Sequence, residues 1–143
     1  MDGDKSPLQA IKHRFYAMRN GIVADTLRRA GAEYRVIFGV NLPQLKEIAS
    51  DIGYDAVLAR ELWANVSTRE SVLLAPMIMP AEEFTIDEAR RWVASAPSVE
   101  AVDVLCLRLL GRMPFAAQIA DECLVSDSRL MQYAAMRLRS YIS

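Results

Sequence analysis

The chain has 143 residues, 52% apolar and 24% charged, enough for one globular domain that buries about two-thirds of its unfolded surface. No apolar run approaches the roughly 18 residues a membrane-spanning helix needs, so a membrane partner is not expected. The 17 cationic and 18 acidic side chains leave a net charge of −1, without the cationic excess of most duplex-binding proteins.

The chain opens Met1-Asp2-Gly3-Asp4-Lys5, charged and without an apolar core behind it, which argues against a secretory signal. Ser6-Pro7 reads as a helix N-cap followed by proline in the first turn. Leu8, Ile11, Phe15, Met18 and Ile22 then recur at three- and four-residue spacing and predict one long amphipathic helix, with Asn20-Gly21 as the place where it kinks or splits. Gly31 is a stop signal. The longest irregular connection is expected over 32–40, where Gly39 permits a turn that a side chain would block.

Beyond Asn41, an N-cap with Pro43 behind it, helices are predicted at 42–52, 55–65, 68–79, 85–96, 98–112, 114–124 and 127–142. Gly53, Ser67-Thr68, Pro80, Pro97-Ser98, Gly111, Pro114 and Asp127 punctuate them. Thr85-Ile86-Asp87-Glu88 has the form of a capping box. No segment alternates with period two strongly enough to be a strand, and no linker interrupts residues 1–143. Helix, tight turn, helix, repeated along a single domain, is the pattern of an all-α solenoid of stacked antiparallel helix pairs.

Motifs for nucleophilic, nucleotide-dependent or metal-dependent chemistry are absent from the sequence, so no cofactor is expected. Cys106 and Cys123 lie on different predicted helices and, with the single His13, make no metal site; reduced thiols and a cytoplasmic setting are the expectation. Carboxylate chemistry and a cationic surface remain. Positions 99, 103, 107 and 110 share a helical face, which sets Asp103 among Val99, Leu107 and Leu110. Arg108, five positions on, is turned about 140° away and cannot serve it. A carboxylate on such a stripe must find a partner on another helix or suffer a raised pKa. On the residues alone, a structural buried Asp and an active-site Asp stand about even.

Among the arginines, Arg28-Arg29, Arg90-Arg91, Arg108, Arg112, Arg129, Arg137 and Arg139 are candidate phosphate contacts, each taken singly more plausible as a solvated surface residue. Tyr133, Arg137 and Tyr141 share one face of the last helix, an aromatic–basic stripe with either a nucleic-acid-stacking role or a half-buried rim role. Trp63 and Trp92 are expected in the core, His13 on the surface, and Arg69-Glu70 as charges at a helix start. On the last helix, Leu130, Met131, Ala134, Ala135, Leu138, Tyr141 and Ile142 form a broad apolar stripe, from which a homodimer through the C-terminal helix is the expectation. Its alternative is a monomer capped by Arg129, Gln132, Arg137 and Arg139.

The run from Tyr34 to Glu47, Tyr-Arg-Val-Ile-Phe-Gly-Val-Asn-Leu-Pro-Gln-Leu-Lys-Glu, followed by this helical ladder, resembles the opening repeat of the HEAT-like DNA alkylation repair glycosylases. The resemblance spans essentially all of this chain and the first half to two-thirds of the family's fold. It implies release of N3- or N7-alkylated purines from duplex DNA, with a carboxylate stabilising an oxocarbenium-like sugar. Val99-Glu100-Ala101-Val102-Asp103, preceded by Trp92-Val93, matches the family's stretch bearing that carboxylate, which makes Asp103 the catalytic candidate. Arg108, Arg112, Tyr133 and Arg137 are the accompanying DNA-binding candidates. The sequence departs from the family pattern at two places: Val99 stands where the family has an aromatic residue, and Met131-Gln132-Tyr133-Ala134 stands where it has an arginine. The alternatives for that role are Arg137, one turn later, reaching the same space, or Tyr133 providing stacking. The rival function is a HEAT-like module that binds DNA or a protein partner without turnover.

Overall fold

The structure, a computed structural model, describes residues 6–142 and contains nine α-helices among them. The charged opening segment considered above lies outside the described residues. The chain divides after Ile78 into two compact units.

In the first unit, α1 (Pro7–Ala17) starts at a capping box in which Ser6 and Gln9 satisfy each other's backbone N–H groups. The long helix predicted from the apolar stripe is two helices. Asn20 leaves the helical conformation and its side chain accepts from Ile22 and Val23 N–H, starting α2 (Gly21–Arg29). Ile11 and Phe15 are buried, but Ile22 is 80% exposed, because the break removes it from the stripe. Asn41 and Gln44 form a second capping box at the head of α3 (Leu42–Ile52), and Asp55 caps α4 (Ala56–Ala64). The next helix, α5 (Arg69–Ile78), is buried on nearly all sides and packs on α3 and α4, while α1 packs on α4. A four-residue connection between contacting helices makes α4 and α5 an antiparallel pair.

The connection over 34–41 is ordered by a buried carboxylate. Glu70, wholly shielded from solvent, accepts from Phe38 N–H at 3.0 Å, Gly39 N–H at 3.0 Å and Val40 N–H at 3.3 Å. The Arg69 guanidinium donates to the same carboxylate at 2.7 Å and to the Val40 carbonyl at 3.0 Å. Arg69-Glu70 therefore opens its helix as expected, and does so as an interior pair. Val36 forms an isolated parallel bridge with Thr68. Gly39 has φ +84°, and a Cβ there would lie 2.1 Å from the Asn20 carbonyl oxygen, so both conformation and space demand glycine.

The second unit begins with a 3₁₀ turn (Ala81–Glu83) and α6 (Ile86–Ser95), whose N-cap Thr85 accepts from Glu88 N–H. Ser98 caps α7 (Val99–Arg108). The helix predicted over 98–112 stops at Arg108 and continues as a separate 3₁₀ turn, Leu110–Arg112. Next come α8 (Ala116–Leu124) and α9 (Arg129–Arg139), the latter capped by Ser128. α9 packs against α7 and α8, burying Ala134, Ala135 and Leu138. Three residues of the apolar stripe expected at a dimer contact are thus covered within the unit, while Leu130, Met131, Tyr141 and Ile142 remain half-buried. Both tryptophans are core residues, as their neighbours predicted, and Trp92 meets Phe84 edge-on at 5.0 Å between centroids.

Removing the Glu70 carboxylate leaves three loop N–H groups without their acceptor and strips a buried guanidinium of its counter-charge. Glu70→Ala is expected to lower unfolding free energy by about 3–5 kcal/mol, as for other broken buried ion pairs. Urea unfolding checks this. A decrease below about 1 kcal/mol would contradict the role given to Glu70.

Candidate functional site

α7 and α9 bring together the residues that sequence spacing singles out. On α9, positions 133 and 137 are one turn apart, and Tyr141 follows one turn further in the turn beyond the helix. On α7, Asp103 faces them. Tyr133 donates its hydroxyl to Asp103 Oδ1 at 2.6 Å, and Arg137 Nε donates to the same oxygen at 2.9 Å. The second guanidinium edge reaches Tyr141, Arg137 Nη2 to the hydroxyl at 2.6 Å, with the guanidinium carbon 5.4 Å from the ring centroid. The Asp103 and Arg137 side chains are each 36% exposed. Among the described residues, Oδ2 of Asp103 has no hydrogen-bond partner.

The environment of Asp103 differs from the apolar stripe inferred from helical phase. Val99 and Leu107 are 50% and 54% exposed, so this is a solvent-bordering face. Leu110 is buried but belongs to the 3₁₀ turn, out of phase with α7. Helical phase identifies neighbours correctly for 99, 103 and 107 and cannot tell which side of α7 faces the interior. The buried side of α7 carries Ala101, Val102, Val104, Leu105 and Cys106 instead.

Gly111 lets the 3₁₀ turn approach Tyr141: a Cβ at 111 would lie 2.7 Å from the Cys106 carbonyl oxygen and 3.1 Å from Tyr141 Cβ. Arg112 is exposed on that turn and Arg108 is half-buried at the end of α7. Neither makes a hydrogen bond or ion pair with a described residue, so their charges are uncommitted to protein partners. Other arginines are committed to protein partners. Arg90 forms a forked pair with Glu122 at 2.8 and 2.9 Å and also binds Asp87. Arg139 pairs with Asp121, and Arg28 donates to the carbonyls of Tyr34 and Arg35.

Acceptance by Asp103 raises the pKa of the Tyr133 phenol above its ordinary value, with burial adding in the same direction. Tyr133 is therefore a neutral donor at physiological pH. Burial pushes the Cys106 thiol up to about 12, assisted by the Asp103 charge, and burial pushes Cys123 up to about 11. Both cysteines are protonated and shielded, unsuited to nucleophilic chemistry. Among the described residues no group of three or more His, Cys, Asp or Glu is arranged to hold a metal ion.

Sequence reasoning misses a second feature, a groove in the first unit lined by Gln9, Lys12, His13, Tyr16 and Phe38. A signal is present: no acidic residue occurs between Asp4 and Asp25, while Lys5, Lys12, Arg14 and Arg19 do.

An all-α array of paired helices, carrying a half-exposed carboxylate held by tyrosine and arginine, defines a helical-repeat protein with a polar surface site. The family model described as DNA alkylation repair enzyme matches residues 11–140, and the chain belongs to that family. A solved structure, described as a new family of proteins related to the HEAT-like repeat DNA glycosylases with affinity for branched DNA structures, superposes with a TM-score of 0.84 at 21% identity. The match covers 94% of this chain and 56% of that one, so the chain spans little more than half that protein's length. The likeness establishes a HEAT-like helical-repeat fold. No curated protein is significantly similar.

Difference absorbance between the protein and Tyr133→Phe across a pH titration isolates one phenol, and its ionisation should fall above the ordinary value of about 10. An ionisation at or below that value would show that Tyr133 does not donate to a carboxylate.

Proposed function

We propose that this chain binds DNA and acts on cationic N3- or N7-alkylated purines, with Asp103 stabilising the positive charge that develops on the sugar as the glycosidic bond breaks. One observation carries the reading: Oδ1 of Asp103 is fixed by two donors while Oδ2 has no described partner. An alkylated purine already carries its positive charge and leaves without a strong general acid. The protein's task is then to set a negative group where charge develops, with little reorganisation. Tyr133 and Arg137 perform the positioning by holding Oδ1, which orients Oδ2 toward a sugar or an attacking water. Arg108 and Arg112 have charges available for phosphates, and membership of a DNA repair family supports DNA as the partner.

A second reading, binding without turnover, draws on a specific observation. Arg137 partly neutralises the carboxylate it positions, and the half-exposed Val99 offers no aromatic wall to exclude water or stack on an extruded base. A site of that character recognises DNA and contributes less to bond cleavage. Branched-DNA affinity in the structurally similar protein is compatible with it.

Release of 7-methylguanine or 3-methyladenine from methylated duplex DNA, measured with protein in excess, separates the two. The proposal predicts release above the spontaneous rate and a drop of about 10²-fold or more in Asp103→Asn, on the scale of removing one preorganised electrostatic group. Release at the spontaneous rate, together with retained DNA binding, would select the second reading. Both readings predict affinity that falls steeply with salt, because phosphate neutralisation releases counterions. Charge reversal at Arg112 should weaken duplex binding and flatten the salt slope by about 1. An affinity indifferent to salt would contradict DNA binding by either route.

A further inference from the structure

The first unit carries an aromatic–cationic groove remote in sequence from Asp103. Its volume is about 610 Å³, and it is open to solvent and lined by Gln9, Lys12, His13 and Tyr16 of α1 with Phe38 of the ordered loop. Tyr16 is 57% exposed, an unusual position for a large ring. Arg19 sits over that ring at 3.8 Å from its centroid and donates to the Tyr16 carbonyl at 2.8 Å, which fixes a guanidinium at the groove's edge. Phe38 is held from behind by Phe15, 5.7 Å away between centroids, and its backbone is pinned by Glu70. Phe38 is therefore anchored on the protein side of the groove.

The longest acid-free stretch of the chain lies here. Among the described residues of this stretch, 6–24, there are three Lys or Arg residues and His13, with no carboxylate. Arg14 is the one cation of this segment with a described carboxylate partner, Asp51 at 2.8 Å. Lys12 and Arg19 have none. A chain of net charge −1 thus presents a locally cationic, aromatic-lined groove, the combination that accepts a backbone phosphate and a stacked base together.

We propose that this groove binds unpaired nucleotides, with a base stacking on Tyr16 and Phe38 and the adjoining phosphates on Lys12 and Arg19. A continuous duplex does not fit the same chemistry, because its bases are already stacked and present no free face to a tyrosine. The site would give preference for DNA with single-stranded segments over intact duplex. The inference extends the DNA-binding reading above and assigns it a second, separable contact.

The test is fluorescence anisotropy with three labelled probes: an oligothymidylate of about 12 nucleotides, a forked duplex with single-stranded arms, and a blunt duplex. Tyr16→Ala should weaken oligothymidylate and fork binding about tenfold while leaving blunt-duplex affinity within about twofold, and Tyr16→Phe should restore it, because stacking needs the ring and not the hydroxyl. Lys12→Glu should weaken oligothymidylate binding and make its salt slope shallower by about 0.7, the share of one neutralised phosphate on a single strand. Both side chains are at the surface, and circular dichroism confirms that the variants fold. Unchanged oligothymidylate binding in Tyr16→Ala and Lys12→Glu, with Arg112→Glu still impairing duplex binding, would overturn this site and leave the Asp103 proposal standing. Absence of binding to all three probes would overturn both. Capture of polyglutamate in preference to oligothymidylate would reassign the groove to acidic protein segments and likewise overturn the proposal.

Discussion

Glu70 sits in the first turn of α5 without exposure to solvent, and the backbone from Phe38 to Val40 is arranged around its two oxygens. A loop that turns inward must place its N–H groups on acceptors or forfeit a large desolvation penalty. Three successive donors converge on one carboxylate here, and the start of a helix is where a negative charge is best tolerated. Arg69 neutralises the charge and holds the Val40 carbonyl at the same time. From that anchor follow the placement of Asn41 as the cap of α3 and of Phe38 against Phe15. Phe38-Gly39-Val40, within the run from Tyr34 to Glu47 that carries the family resemblance, is a structural device: its glycine allows the approach and its backbone supplies the donors.

The two carboxylates of interest are handled in opposite ways. Glu70 is buried and its acceptor capacity is committed to protein donors, as expected of a residue whose work is stability. Asp103 is partly exposed and receives both its donors on one oxygen. An exposed pair of this kind contributes little to folding, so the convergence of a tyrosine and an arginine on Oδ1 has greater consequence for orientation than for stability. Positioned groups on rigid helices with spare valence toward solvent are what a binding or reactive site requires.

Much of this is legible in the sequence, and the failures have physical causes. Periodicity and capping residues locate most helices. Asn20-Gly21 reads as a break, and only the structure shows the side-chain cap that makes it complete. The need for glycine at 39 is readable because few residues tolerate such a turn, whereas the burial of Arg69-Glu70 is not. The acceptor for that loop lies some thirty positions later, and nothing local in Arg69-Glu70 records the approach. Asp103 stands out in the sequence, but its apolar neighbours suggest burial, while α7 turns its 99–103–107 edge toward solvent. Arg137 and Tyr133 are visible as an i,i+4 pair; that both choose the same carboxylate oxygen depends on how α9 packs on α7. The groove on α1 is hidden in the whole-chain charge, where acids elsewhere conceal a locally acid-free segment.

Membership in a DNA alkylation repair family gives the chain a chemistry to be tested against, and the central claim is that Asp103 answers positive charge on a sugar. The most direct measurement compares affinity for a duplex carrying a pyrrolidine abasic analogue, cationic at the sugar, with affinity for the same duplex carrying the neutral tetrahydrofuran. Resemblance to the transition state should make the cationic duplex bind at least about tenfold tighter, with the difference abolished in Asp103→Asn. Equal affinity for the two duplexes, or a preference that survives in Asp103→Asn, would contradict the account.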